Sequence, residues 1–155
     1  MFELDVPGFK LLRLENIVLD FNGTISHDGK LIPEVADRLF ELKENFAIFV
    51  VTADTFGTVK EQMKKLAQIK ILATTNHRDE KRSFVTQLGK DSVVAFGNGR
   101  NDVMMLKAAS LGIAACQGEG ASSEVFQAAD IVCKDIRDGL DLLRFPKRLL
   151  ATLRA

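Results

Sequence analysis

The sequence predicts an α/β fold, a three-layer sandwich in which a mostly parallel sheet carries helices on both faces. Three observations predict it. Short apolar runs alternate with amphipathic stretches along the whole 155-residue chain, the pattern of strand and helix taking turns. One of those runs, Phe46–Val51, is almost wholly apolar, and such a strand suits a position buried on both faces. No repeat, low-complexity tract or linker breaks the alternation, so a single domain over residues 1–155 is expected.

The elements follow in order. Phe2–Val6 and Leu11–Leu14 alternate apolar and polar residues around Pro7-Gly8, which predicts a β-hairpin. Ile17–Phe21 is a compact apolar strand that runs into Asn-Gly. Pro33–Glu44 reads as a helix with Pro at its first position and Val35, Leu39 and Leu42 on one face. After the strand at Phe46, Thr55–Ala67 places Val59, Met63 and Leu66 on one helical side. Ile69–Leu72 is a short strand and Asp79–Leu88 a helix with an acidic first turn. Ser92–Phe96, Asn101–Ala109, Leu111–Ala115, Ser122–Ala129 and Ile131–Cys133 continue strand, helix, strand, helix, strand. The tail from Gly139 is helical with a break near Pro146.

Composition removes whole classes of function. Lys and Arg total 21, as do Asp and Glu, so the basic excess of a nucleic-acid or anionic-membrane binder is missing. No apolar run approaches the roughly 20 residues that cross a bilayer, and the opening MFELDVPGFK lacks a signal core. A cytoplasmic protein is expected, with neither nucleic acid nor membrane as partner. Cys116 and Cys133 sit in apolar stretches at no metal-like spacing and read as small core residues.

In a parallel sheet the active site lies beyond the carboxyl ends of the strands, and four pieces of sequence fall there. They are Asp20-Phe21-Asn22-Gly23-Thr24, Thr52, Lys81 near the start of its helix, and Gly97-Asn98-Gly99-Arg100-Asn101-Asp102. Singly, each has a bland reading as turn, cap or surface residue. Together they supply what a phosphoryl group needs. Gly23, Gly97 and Gly99 let backbone approach an anion, Thr52 offers a hydroxyl, and Lys81 offers positive charge. Asp20 and Asp102 bring two carboxylates together, which repel unless a cation lies between them, and oxygen ligands of that kind suit Mg²⁺.

From about Ile17 to Leu143 the chain resembles the haloacid dehalogenase (HAD) superfamily of phosphotransferases. The family's Asp-x-Asp-x-Thr motif is matched by Asp20, Asn22 and Thr24, its strand-ending Ser or Thr by Thr52, its Lys by Lys81, and its Gly-Asp-Gly-x-Asn-Asp by Gly97–Asp102. The stretch LGIAACQGEGASSEVFQAADIV is similar to the phosphorylation domain of P-type ATPases. The resemblance implies a Rossmann-like, HAD-like fold of the soluble P-type-ATPase-like subgroup, acting as a phosphatase or phosphotransferase. It implies Asp20 as covalent nucleophile, with Asn22 and Lys81 as the other catalytic positions. Thr52, Ala53, Lys81, Gly23 and Asn101 would hold the phosphoryl group. Mg²⁺ would be held by Asp20, the Asn22 carbonyl, Asn98 and Asp102.

Two departures from the family pattern shape the expectation. Asn22 stands where relatives carry the Asp that serves as general acid and base, and Asn98 removes a carboxylate from the metal site. The first predicts slow turnover and the second weaker Mg²⁺ binding than in relatives, and together they keep open a non-catalytic phosphoryl- or metal-binding module, or a regulatory protein that holds a phospho-aspartate. The gaps between Thr24 and Pro33 and between Thr52 and Lys81 are too short for a cap domain. An open site follows, with a phosphorylated small molecule or phosphoprotein as substrate, and self-association through the turn at His27 and Asp28 as the expected cover. His27 and His77 read as solvated loop histidines, with substrate contact as a second reading, and Arg100 reads equally as a substrate contact inside the loop or as a surface residue. Asp54 reads as a helix cap, with a second reading as a substitute acid.

Overall fold

The hairpin predicted at the start opens the chain: β1 (Phe2–Val6) and β2 (Lys10–Leu14) pair antiparallel, with Phe2 opposite Leu14 and Val6 opposite Lys10. The turn closes through the Phe9 N–H, which donates to the Val6 carbonyl at 3.0 Å, around Gly8 at φ 80°. The computed structural model describes residues 1–53 and 58–155. Asp54 and the predicted helix start at Thr55 therefore lie outside the described residues.

Six strands form the central sheet: β3 (Asn16–Asp20), β6 (Ala47–Thr52), β7 (Gln68–Ile71), β8 (Val93–Gly97), β9 (Leu111–Ala115) and β10 (Ile131–Cys133). Their order is β10-β9-β8-β3-β6-β7, and every pairing is parallel. Between β3 and β6 a small antiparallel hairpin, β4 (Ser26–His27) and β5 (Lys30–Leu31), turns through Asp28 at φ 51° and Gly29 at φ 79°. Two consecutive left-handed residues are what such a tight turn demands, and Asp-Gly supplies them at low cost.

The α-helices are α1 (Val35–Leu42), α2 (Thr58–Met63), α3 (His77–Leu88), α4 (Val103–Ala108), α5 (Ser123–Ala128), α6 (Ile136–Arg144) and α7 (Pro146–Leu153). The strands explain the layering by their period of two. Ile17, Leu19, Ile48, Val50, Val94 and Phe96 face one core with α1, α2, α6, α7 and the first hairpin. Val18, Val51, Val93 and Ala95 face a second core with α3, α4 and α5. Each fully buried Val, Leu, Ile or Phe is worth about 1.5–3 kcal/mol relative to exposure. The three-layer sandwich of the sequence reading is thus what forms, and the described residues contain no cap domain.

Two of the boundaries that differ from expectation have a plain backbone cause. Pro33 does not open α1, because Glu34 takes a left-handed conformation at φ 71° and the helix starts at Val35. The tail helix begins at Ile136 rather than Gly139, because the Asp135 carboxylate accepts the Arg137 N–H at 2.9 Å and caps it.

Sheet order fixes where chemistry can happen. From β3 the chain moves out to β6 and β7, then returns to the other side of β3 as β8. The crevice lies where the direction reverses, between the carboxyl ends of β3 and β8. Those ends are Asp20 and Gly97.

Candidate active site

Asp20 closes β3 and is 8% exposed. The loop behind it is drawn tight by one acceptor: the Phe21 carbonyl receives the Thr24, Ile25 and Ser26 N–H groups at 3.1–3.2 Å and the Ser26 hydroxyl at 2.9 Å. Gly23 in this loop has φ 79°, and a Cβ there would collide with the Asn98 side chain. The position is therefore closed to other residues twice over. Thr24 Oγ1 lies 2.9 Å from Asp20 Oδ2 and 3.1 Å from Asn98 Oδ1. A hydroxyl has one proton, and the charged acceptor is the stronger partner.

Lys81 comes from α3 and is 2% exposed. Its ammonium has three protons and three oxygen partners: Asp20 Oδ1 at 3.0 Å, Asn101 Oδ1 at 3.0 Å and Asp102 Oδ1 at 2.7 Å. Asp102 is fully buried; its Oδ2 accepts the Asn98 and Gly99 N–H groups, each at 3.0 Å. Burial, reinforced by Asp102, pushes the Asp20 carboxyl up to about 7, while Lys81 and Thr24 pull the other way. Burial also works against charge on Lys81, but Asp20 and Asp102 outweigh it and raise the amine above its ordinary value.

The glycines divide by role. A Cβ on Gly97 would meet the Asp102 side chain at 2.6 Å, so this glycine makes room for the carboxylate rather than for a ligand. Gly99 meets nothing closer than 3.7 Å and keeps an ordinary φ of −103°.

An open cleft of ≈ 340 Å³ sits above, lined by Asp20, Asn22, Thr52, Ala53, Lys81, Asn98, Gly99 and Asn101, and also by Leu72 and His77. Thr52 is buried at the end of β6, whereas Asn22 is exposed at the mouth. Nine positions singled out in the sequence thus gather at one crevice, eight lining it and Asp102 buried behind. Arg100 instead turns outward, pairing with Glu124 at 3.1 Å. His27 belongs to a neighbouring cavity and lies against Gly118. Its hairpin is tied to its own chain: Gln62 bonds the Leu31 N–H and the Gly29 carbonyl, and Glu119 accepts from the Asp28 N–H. Cys133 is buried and Cys116 half-buried, and both are free; burial pushes the Cys133 thiol up to about 11.

Part of the donor set fits a hard divalent cation. The Asn98 amide nitrogen donates to the Gly120 carbonyl at 3.1 Å, which turns its oxygen toward Thr24 and Asp20. That oxygen and the Asp20 carboxylate suit Mg²⁺, which typically takes one or two carboxylates and fills its shell with water and phosphate oxygens. Asp102 is less available, because Lys81 and two backbone N–H groups occupy its oxygens.

The sequence profile of haloacid dehalogenase-like hydrolases matches residues 80–139. An uncharacterized protein of Methanocaldococcus jannaschii, MJ0073, is 41% identical over 91 residues, 59% of this chain and 88% of that protein. The chain belongs to the haloacid dehalogenase superfamily. Within it, a soluble P-type ATPase-like phosphatase of the same archaeon is 26% identical over 151 residues, 92% of this chain. The chain spans 54% of that phosphatase's length. The HAD fold is seen again in a 3-deoxy-D-manno-octulosonate 8-phosphate phosphatase from Moraxella catarrhalis, solved with magnesium, phosphate and the sugar acid. It has a TM-score of 0.68 and 16% identity, covering 91% of this chain and 94% of that one.

Two cleft residues lie outside the site expected from sequence, Leu72 and His77. From sequence alone His77 reads as a solvated loop histidine. The missed signal is Asn76, whose side-chain oxygen accepts the Asp79 N–H at 3.2 Å and starts α3 two residues earlier.

Proposed function

We propose that the chain is a Mg²⁺-dependent phosphatase or phosphotransferase that works through an aspartyl-phosphate on Asp20. The observation that carries the reading is the Asp20 carboxylate. It stands in an open cleft at the reversal point of the sheet, with Thr24 on one oxygen and Lys81 on the other. A carboxylate so held is ready for in-line attack on phosphorus.

In the proposed mechanism an Asp20 oxygen forms the bond to phosphorus as the ester oxygen departs. Thr52, with Ala53 beside it, receives the phosphoryl oxygens together with Asn101, and Gly23 shapes the loop behind Asp20. Lys81 offsets the charge that gathers on them. Mg²⁺ would be held by Asp20, the Asn22 carbonyl and the Asn98 side-chain oxygen, and when bound it supplies further charge neutralisation. Asp102 serves from behind, fixing Lys81 and the Asn98 loop. Asn22 can offer a hydrogen bond but exchanges no proton, so hydrolysis of the intermediate is slower than with Asp at that position. The substrate is a phosphorylated small molecule or a phosphoprotein, since no cap limits its size, and the protein acts in the cytoplasm.

The test is a pulse of labelled acetyl phosphate with and without Mg²⁺. Wild type takes up acid-stable label at Asp20, located by mass spectrometry, and Asn22→Asp shortens the life of the label. Asp20→Asn takes up none. Equal labelling or equal turnover in Asp20→Asn overturns the assignment.

A further inference from the structure

The reaction proposed above leaves one proton without a carrier. An alkoxide departing from phosphorus needs a proton, and the water that later cleaves the aspartyl-phosphate must lose one. Asn22 can do neither.

Among the described residues, three ionisable side chains line the cleft: Asp20, Lys81 and His77. Asp20 and Lys81 are bonded to each other. The His77 ring makes no hydrogen bond or ion pair with any described residue. Its place is set by α3: His77 and Lys81 are four residues apart, so both project from one face of the helix. Lys81 is pinned to Asp20 and Asp102, which fixes the rotation of that face. The cap at Asn76 fixes the first turn, with Asn76 Nδ2 donating to Asp79 Oδ2 at 2.6 Å.

We infer that His77 is the general acid and base of this site, a catalytic residue that lines the cleft together with Asp20 and Asn22. The inference rests on the Asp20 reading. Imidazole is the side chain suited to exchanging protons near neutrality. In the first half-reaction the imidazolium gives its proton to the departing oxygen as the P–O ester bond breaks and the Asp20–P bond forms. In the second, the neutral ring takes a proton from water as the water oxygen bonds to phosphorus. The Asp20–P bond then breaks, its electrons return to the carboxylate, and the imidazolium is restored. No other reactant is needed.

Among the described residues, the charged groups of the cleft and of α3 are already engaged. Asp20, Asp102 and Lys81 form the floor. On α3, Arg78 donates to the Arg100 carbonyl and pairs with Glu124, Asp79 pairs with Arg82, and Glu80 binds the Ala73 and Thr74 N–H groups. From the loop opposite, Arg100 is held by Glu124. None of them competes for the ring's proton.

The experiment compares wild type, His77→Gln and His77→Asn with two donors, acetyl phosphate and ethyl phosphate. The ethyl ester needs its leaving oxygen protonated and the acyl phosphate does not. Both variants are expected to lose more with ethyl phosphate than with acetyl phosphate by about 10²- to 10⁴-fold, and their labelled Asp20 should decay more slowly by a similar factor. In wild type, phosphorylation by the ethyl ester falls as pH rises, decay of the intermediate falls as pH drops, and both limbs disappear in the variants. Added imidazole restores decay in His77→Ala. Equal losses with both donors, or unchanged decay in labelled variants, overturn the role of His77 and leave the Asp20 reading standing. Failure of wild type to label at Asp20 overturns that reading and this one together.

Discussion

Lys81 shows how a residue that reads as one lysine among many becomes the centre of a site. Its three protons are matched to Asp20, Asn101 and Asp102, and it is 2% exposed. With two carboxylates against one ammonium, the cluster keeps an excess of negative charge, which a cation can relieve. Removing the lysine would leave two buried carboxylates facing each other. Lys81→Met is therefore expected to cost about 3–5 kcal/mol of stability, read by urea denaturation. Adding Asp102→Asn to the same chain should return part of that loss. A loss below about 1 kcal/mol, the range of an exposed ion pair, would mean that the cluster is wetter than its burial indicates.

At the scale of the element, the segment between β7 and α3 carries a charge with a pH signature. Glu80 accepts the Ala73 N–H at 2.8 Å, and the Thr74 N–H and hydroxyl both at 2.8 Å. The Ala73 N–H first, then these Thr74 groups, lower its carboxyl from 4.5 to about 2. The folded value lies below the unfolded one, so the contribution is complete above pH 4.5 and is lost as pH falls toward 2. Glu80→Gln should lower the melting temperature at pH 7 and change it little near pH 2, so the two melting curves converge in acid. Parallel curves across that window would show that the carboxylate's charge is not what holds the segment. The same segment marks how far the sequence could be read. Strand and helix identities were legible because apolar runs such as Phe46–Val51 and faces such as Val35, Leu39 and Leu42 report burial directly. Starts and stops were not, because they depend on single backbone conformations: Glu34 at φ 71° cancels the helix start at Pro33, and the cap at Asn76 brings His77 into register with Lys81. The spacing of the motif residues along the chain is visible without coordinates, whereas a residue defined by helical phase appears only when the helix start is known.

At the scale of the whole molecule, the decisive fact is strand order, to which no local pattern points. Nothing in Val93–Gly97 says that it pairs with β3 rather than β7; yet that pairing sets Gly97-Asn98 beside Asp20. The hairpin expected to reach a neighbour is bonded to Gln62 and Glu119 of its own chain, so it has no free edge to give away without breaking those bonds. The exposed large apolar residues, among them Phe40, Ile71, Phe126 and Phe145, come from different elements: α1, β7, α5 and the junction of α6 and α7. Two of them are also covered by cations, Phe40 by Lys43 and Phe145 by Arg144 and Arg148. A neighbour covering the cleft would exclude water and strengthen the charge stabilisation inside it, so turnover per chain would climb with protein concentration. A cleft that works without a second copy predicts the opposite. Specific activity toward acetyl phosphate should stay constant across a thousandfold dilution from the micromolar range, and sedimentation over the same range should give a single monomeric species. Activity that rises with concentration in step with a dimer boundary would instead place a second copy over the cleft.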